Sequence, residues 1–422
     1  MDNIRKTLTD TIDILRDRII PFRKRIHEFP ELSHLEAETR DFIISNIPQK
    51  EYIKIVKFEG APEGDEPARN DMTYGFWVDV ILDAREPGRD VIAFRADIDA
   101  LPVEEETGLE FASKKHGVMH ACGHDTHVAM VFGALLSAVE NHDILKKSVK
   151  CGCLRFIFQA AEESSPGGAS VLVKKGVLNG VKHVFGLHMM PNVRSGEVAF
   201  GRGGVMAAVR EFEIEFLGRG GHAAKPDQST DLILMASELI VSAQKIISRF
   251  RNPLKPGVLS FCVINAGTAR NVLPAKLILQ GTIRSLDDET KTLLPEKLEK
   301  LIKNKCEEFG AAYSIKWIEG YPVTFNDDRA VTVFARAAEK VFAEDKVHME
   351  AERSMGAEDF SYYAEKVPSA FAFLGCGDIS DKGENRSFPL HHPKFCPGES
   401  DMIGGAKLLC SVIAEFAEPK GK

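Results

Sequence analysis

Leu154-Arg155-Phe156-Ile157-Phe158-Gln159-Ala160-Ala161-Glu162-Glu163 is mainly apolar for five residues and then abruptly polar. Two other stretches repeat the pattern. Val91-Ile92-Ala93-Phe94 leads into Arg95, Asp97 and Asp99, and His183-Val184-Phe185-Gly186-Leu187 leads into His188. Short apolar runs of this kind read as strands buried on both faces. Helical patterns at 126–140 and 169–175 lie between them, and strand alternating with helix predicts an α/β fold in which helices flank a mostly parallel sheet. Ligands in such sheets bind outside the carboxyl ends of the strands, so the polar groups ending the three runs are expected to converge.

Outward from this core the rhythm changes. After residue 207, Phe212, Ile214 and Phe216 alternate as in a half-buried strand. An amphipathic helix at 232–250, strands at 259–265 and 277–283, a helix at 291–309 and a strand at 313–318 follow. The order β-α-β-β-α-β is that of a ferredoxin-like α+β module. The helix-then-strand pattern resumes with 331–342 and 371–374. The chain therefore reads as a discontinuous α/β domain, 1–206 and 321–422, interrupted by a smaller α+β domain at 207–320. Residues 3–47 read as helices broken at Pro30, and glycines and prolines mark a polar loop at 58–73.

The chain has 422 residues, 44% hydrophobic and 27% charged, the composition of a globular protein. Its 54 Lys plus Arg against 62 Asp plus Glu give a net charge of -8, no electrostatic reason to expect a nucleic acid or an anionic membrane as partner. Met1 to Arg18 lacks the apolar segment of a secretory signal, and no run reaches the ~18 apolar residues of a membrane span. The 8 cysteines are scattered, unlike a disulfide scaffold, and a reducing, cytoplasmic setting is expected.

The chemistry gathers at Met119-His120-Ala121-Cys122-Gly123-His124-Asp125-Thr126-His127. Gly123 permits a turn tight enough for Cys122 and His124 to face one ion. With Glu163 and His188 they supply mixed soft and hard donors, suited to Zn²⁺ and also to Mn²⁺ or Co²⁺. Of the adjacent Glu162 and Glu163, one would bind the cation and the other take a proton from water. His27, His34, His116, His127, His142, His183 and His348 read as ordinary core or surface histidines, and His120 and Asp125 as residues that orient the ligands.

Five ordered segments carry a resemblance: Arg95-Ala96-Asp97-Ile98-Asp99-Ala100-Leu101-Pro102, His120-Ala121-Cys122-Gly123-His124-Asp125, Gln159-Ala160-Ala161-Glu162-Glu163, Gly186-Leu187-His188 and Gly220-Gly221-His222-Ala223-Ala224-Lys225-Pro226. They resemble the M20 metallopeptidases, in the branch of aminoacylases, hippurate hydrolase-like amidohydrolases and auxin-conjugate hydrolases. The resemblance spans nearly the whole chain, from Arg23 to Leu390-His391-His392-Pro393. It implies two divalent metal ions per subunit, Mn²⁺ or Zn²⁺ with Co²⁺ possible, held by Cys122, His124, Glu163, His188 and His391, with His392 as competitor for the last. It further implies Glu162 as general base, Asp97 as an orienting acid, His222 as oxyanion donor, and Asn271 and Arg284 as contacts for a substrate carboxylate. The inserted domain would be a lid through which two subunits dimerise.

The implied activity is metal-dependent hydrolysis of the amide of a small N-acyl amino acid or similar conjugate. A dipeptidase or carboxypeptidase of the same family is the alternative. Two further readings are a cysteine hydrolase, with Cys122 activated by His120 or His124, and a non-catalytic binding protein. The chain departs from the family at Ala160, where Pro is usual, and at Lys394-Phe395-Cys396-Pro397-Gly398-Glu399, where acidic residues are usual.

Overall fold

A computed structural model describes residues 1–58, 73–83, 85–86, 90–379 and 387–417. Most of the polar loop expected at 58–73 falls outside the described residues. The chain forms two compact units, Met1–Gly203 with Phe325–Glu352 and Asp359–Lys422, and Gly204–Thr324 with Arg353–Glu358. These bounds lie a few residues from the expected ones, and 353–358 was not expected in the second unit.

The first unit is built on an eight-stranded sheet. Four adjacent strands, Cys153–Gln159, Val91–Asp97, Val181–Arg194 and Ser369–Gly377, run parallel. The sheet as a whole is mixed, because Phe76–Ile81 and Ile53–Lys57 add antiparallel on one side and Val198–Ala199 antiparallel on the other. Every residue of Val91–Asp97 and Cys153–Gln159 is buried, which explains their unbroken apolar runs. Phe94 stacks on Phe156 at 5.5 Å and Phe76 on Phe158 at 5.0 Å.

Helix His124–Glu140 is buried at every residue from His124 to Val139. A helix apolar around its whole circumference belongs in the middle of a core, and its first turn is fixed there with it. No single helix among the described residues is long and apolar enough to cross a membrane. Register aligns the strand ends: Asp97 pairs with Gln159, and Arg95 lies opposite Gly186, two residues before His188.

The second unit carries a four-stranded antiparallel sheet in the order Gly257–Ala266, Lys276–Ser285, Ala208–Leu217, Ala312–Glu319. Phe212, Ile214 and Phe216 pack with Leu277, Leu279 and Ile283 beneath helices Leu232–Lys245 and Asp288–Phe309. The helix expected at 232–250 ends as α-helix at Lys245 and continues as a π-helical turn, Ile246–Phe250.

Candidate metal centre

The loop before helix His124–Glu140 turns at Gly123, whose φ of +87° is left-handed. A Cβ there would also press on Phe395 and Pro397. This turn presents Cys122 and His124 toward the strand ends. Cys122 Sγ lies 3.4 Å from His188 Nε2. Ligand atoms of Cys122, His124 and His188 all fall within 4.8 Å of one another, as do those of Cys122, Glu163 and His391, and those of His124, Glu162 and Glu163. The five expected donors and Glu162 are thus brought together.

The imidazoles are oriented for ligation. His124 Nδ1 donates to the Asp99 carbonyl at 2.9 Å and His188 Nδ1 to the Met189 carbonyl at 2.8 Å, so each turns a bare Nε2 toward the cluster. His391, at φ +66°, is anchored by its N–H to the Ala121 carbonyl, and its Nε2 sits 3.3 Å from Glu163 Oε1. The competitor His392 stacks on Phe388 at 4.6 Å and accepts from the Lys394 N–H instead. Among the described residues His124 Nε2 is buried without a well-aligned hydrogen bond, and so is Glu163 Oε1, 3.9 Å from it, with only the His391 ring beside it. Unpartnered lone pairs facing each other beside a thiol fit a divalent cation, so the residues present suit the ions the resemblance implies.

Asp97 lies at the edge of the donors, its Oδ2 3.7 Å from His124 Nε2. It accepts from Arg95 Nη1 and His127 Nδ1, each at 2.7 Å. Burial would raise its pKa, but His124, Arg95 and His127 hold the carboxyl well below the usual range. His127, read from sequence as an ordinary histidine, instead bridges Asp97 to the Met189 N–H through its two nitrogens. Arg95 is buried with Asp97, Gln159 and Asp359 on its three nitrogens. Asp359 carried no role in the sequence reading. No local pattern shows that it meets a guanidinium 264 residues away.

Behind the donors lies a second polar layer. Asp125 meets Arg23 at 2.5 Å and His27 Nδ1 at 2.8 Å, and His27 Nε2 meets Glu105 at 3.1 Å. Burial alone would lower the His27 pKa, but these two carboxylates raise it. His120 is buried, and among the described residues neither of its ring nitrogens has a hydrogen-bond partner. Burial, with Asp125 opposing and His27 and His124 adding to it, pushes its pKa down to about 4.

A pH dependence follows. Between about 6.5 and about 4 the unfolded chain protonates His120 more readily than the folded one. The stabilisation from this neutral imidazole is complete above the unfolded pKa and is lost as pH falls through that window, at about 1.4 kcal/mol per pH unit and roughly 3 kcal/mol in all. Thermal melts of His120→Gln should lose less stability from pH 7 to pH 5 than wild type. Equal losses would remove His120 from the acid limb.

In the second unit, His222 is exposed on a short two-stranded antiparallel ribbon, paired with Val272 beside Asn271. Its Nδ1 accepts from the Ala224 N–H at 3.0 Å, which leaves Nε2–H as a donor. The Asn271 carbonyl accepts from the Ala223 N–H, and Arg284 Nε donates to Thr282 Oγ1 at 3.3 Å.

A cluster of thiol, imidazole and carboxylate donors at the strand ends of an α/β sheet, with one further carboxylate beside it, defines a metal-dependent hydrolase. The comparisons give the family. Residues 93–415 match the model of peptidase family M20/M25/M40. The chain is 35% identical over 419 residues to thermostable carboxypeptidase 1 of Saccharolobus solfataricus, covering 99% of this chain and 100% of the relative. It is 36% identical over 398 residues to an N-acetyl-L-cysteine deacetylase of Bacillus subtilis, covering 94% and 88%. A dinuclear metal-binding peptidase of the M20 family from Bacillus subtilis superposes with a TM-score of 0.76 at 32% identity, covering 95% of this chain and 98% of that one. The chain belongs to peptidase family M20/M25/M40 and is a metal-dependent hydrolase of amide bonds.

Proposed function

We propose that the enzyme hydrolyses the amide bond of small N-acyl amino acids or similar conjugates. The observation that carries this is the meeting of five donors with a neighbouring carboxylate, Glu162, at the sheet's carboxyl edge. Cys122, His124, Glu163, His188 and His391 would hold two divalent ions, Mn²⁺ or Zn²⁺, with Co²⁺ also accommodated. Such ions, when bound, polarise the scissile carbonyl and make water more acidic. Glu162 takes the proton from the attacking water and returns it to the leaving amine. Asp97, charged and held by Arg95 and His127, orients the neighbouring imidazoles. His222 Nε2–H steadies the oxyanion, and Arg284 with Asn271 receives the substrate carboxylate.

The second unit serves as the lid and as the contact between two subunits of a homodimer. All 8 cysteines are free, which supports a reducing cytoplasm as the setting. The carboxypeptidase relative favours a second reading, cleavage of dipeptides or peptide C-termini by the same chemistry. A panel of N-acetyl and N-benzoyl amino acids and dipeptides, run with metal content measured by mass spectrometry, separates the two. Turnover of the acyl amino acids at least ~10-fold above the dipeptides, a gap of about 1.4 kcal/mol, is expected. The reverse preference would make the enzyme a peptidase.

A further inference from the structure

Ala161 has φ +54°, a left-handed backbone that a residue with a Cβ resists. It stands immediately before Glu162 and is held from both sides. Its N–H donates to Glu36 Oε1 at 2.7 Å, and its carbonyl accepts from the Gly168 N–H at 3.0 Å. Gly168 admits this approach only because it lacks a Cβ, which would stand 1.9 Å from the Ala160 carbonyl oxygen.

Glu36 is wholly buried, 125 residues earlier in the chain, at the start of helix Ala37–Ser45. The segment that carries it is itself tied down. The Glu31 carbonyl accepts from the Ala100 N–H at 2.8 Å, and Glu31 Oε2 accepts from the N–H and hydroxyl of Thr39 at 2.7 and 2.8 Å. Ser33 Oγ donates to Asp99 Oδ2 at 2.7 Å, and the same carboxylate oxygen accepts from the Glu163 N–H at 3.0 Å. The peptide N–H groups on either side of Glu162 therefore both end on buried carboxyl groups, Glu36 before it and Asp99 after it.

We propose that Glu36 is a positioning residue for amide hydrolysis: it holds Ala161 left-handed and so aims Glu162 and Glu163 in their two directions. The inference rests on the roles given to those glutamates above. Besides the Ala161 N–H, the Glu36 carboxyl meets the backbone N–H groups of His34 and Glu36, so it ties its own turn to the segment that carries Glu162. A shift of about 1 Å in a reacting group is enough to reduce turnover ~100-fold.

The test compares Glu36→Ala, Glu36→Gln, Glu36→Ala with Ala161→Gly, and Glu162→Gln. The full chain is loaded with Mn²⁺ and assayed on the best substrate of the panel, with the fold followed by circular dichroism. Glu36→Ala should fold and lose about 10- to 100-fold in kcat, with KM within about threefold. Glu36→Gln keeps an oxygen for the Ala161 N–H and should retain at least about a third of kcat. Ala161→Gly should raise kcat of Glu36→Ala at least about fivefold, because glycine takes positive φ freely. A purely structural residue would not have its turnover rescued 125 positions away.

Should Glu36→Ala not fold, Glu36→Leu fills the volume without an acceptor and carries the same expectations. Failure of both to fold, with or without Ala161→Gly, would overturn the proposal, as would kcat within twofold of wild type or a loss that neither Gln nor Gly repairs. Glu162→Gln with normal activity would instead undo the reading of the site. An inactive Glu162→Gln beside a normal Glu36→Ala would sink the positioning role alone.

Discussion

Glu162→Gln should fold, keep its metal and lose turnover by about 10²- to 10⁴-fold, the contribution of a positioned proton acceptor. Glu162 is buried at 6% exposure within reach of Glu163 and His124, and the amide differs from it by little in volume. Packing and the five donors are left intact, so metal content by mass spectrometry should match wild type while kcat falls. KM should change little, because the lost interaction belongs to the transition state. Normal turnover in the variant would remove Glu162 from the chemistry. Metal loss together with turnover would make it a ligand. A chain that only bound its ligand would show no activity to lose.

Removal of metal should have an effect of similar size. Exhaustive EDTA treatment is expected to abolish activity, and Mn²⁺, Zn²⁺ or Co²⁺ to restore it, since carbonyl polarisation and water activation have no substitute among the side chains. The rival in which Cys122 attacks the substrate predicts the opposite. Cys122 is buried, and burial pushes its thiol up, away from the thiolate a nucleophile requires, with His124 only partly offsetting it. Iodoacetamide should therefore inactivate the metal-loaded enzyme slowly. Activity that survives EDTA and dies with iodoacetamide would establish the cysteine mechanism.

The inserted module was legible for a physical reason. Phe212, Ile214 and Phe216 alternate because one face of their strand meets two helices and the other meets water. Strands buried on both faces carry no alternation and were recognised by short apolar runs alone. Their direction was less legible: antiparallel Phe76–Ile81 and Ile53–Lys57 look locally like any other strand, so the parallel centre of the sheet was expected and its antiparallel margin was not.

Read alone, the chain pointed to most of the side chains that the structure gathers, because Cys122 lies beside His124, Glu162 beside Glu163, and the glutamates and His188 follow strand ends. The resemblance preferred His391 over His392, and the tertiary structure shows the physical difference: a backbone hydrogen bond to Ala121 and a left-handed φ turn one imidazole to Glu163 and leave its neighbour on Phe388. The tertiary structure alone brought out His127, Asp359 and Glu36. Their partners sit 30, 264 and 125 residues away. Such contacts depend on strand order and register, which local periodicity does not encode, whereas ligand chemistry depends on residue type, which it does.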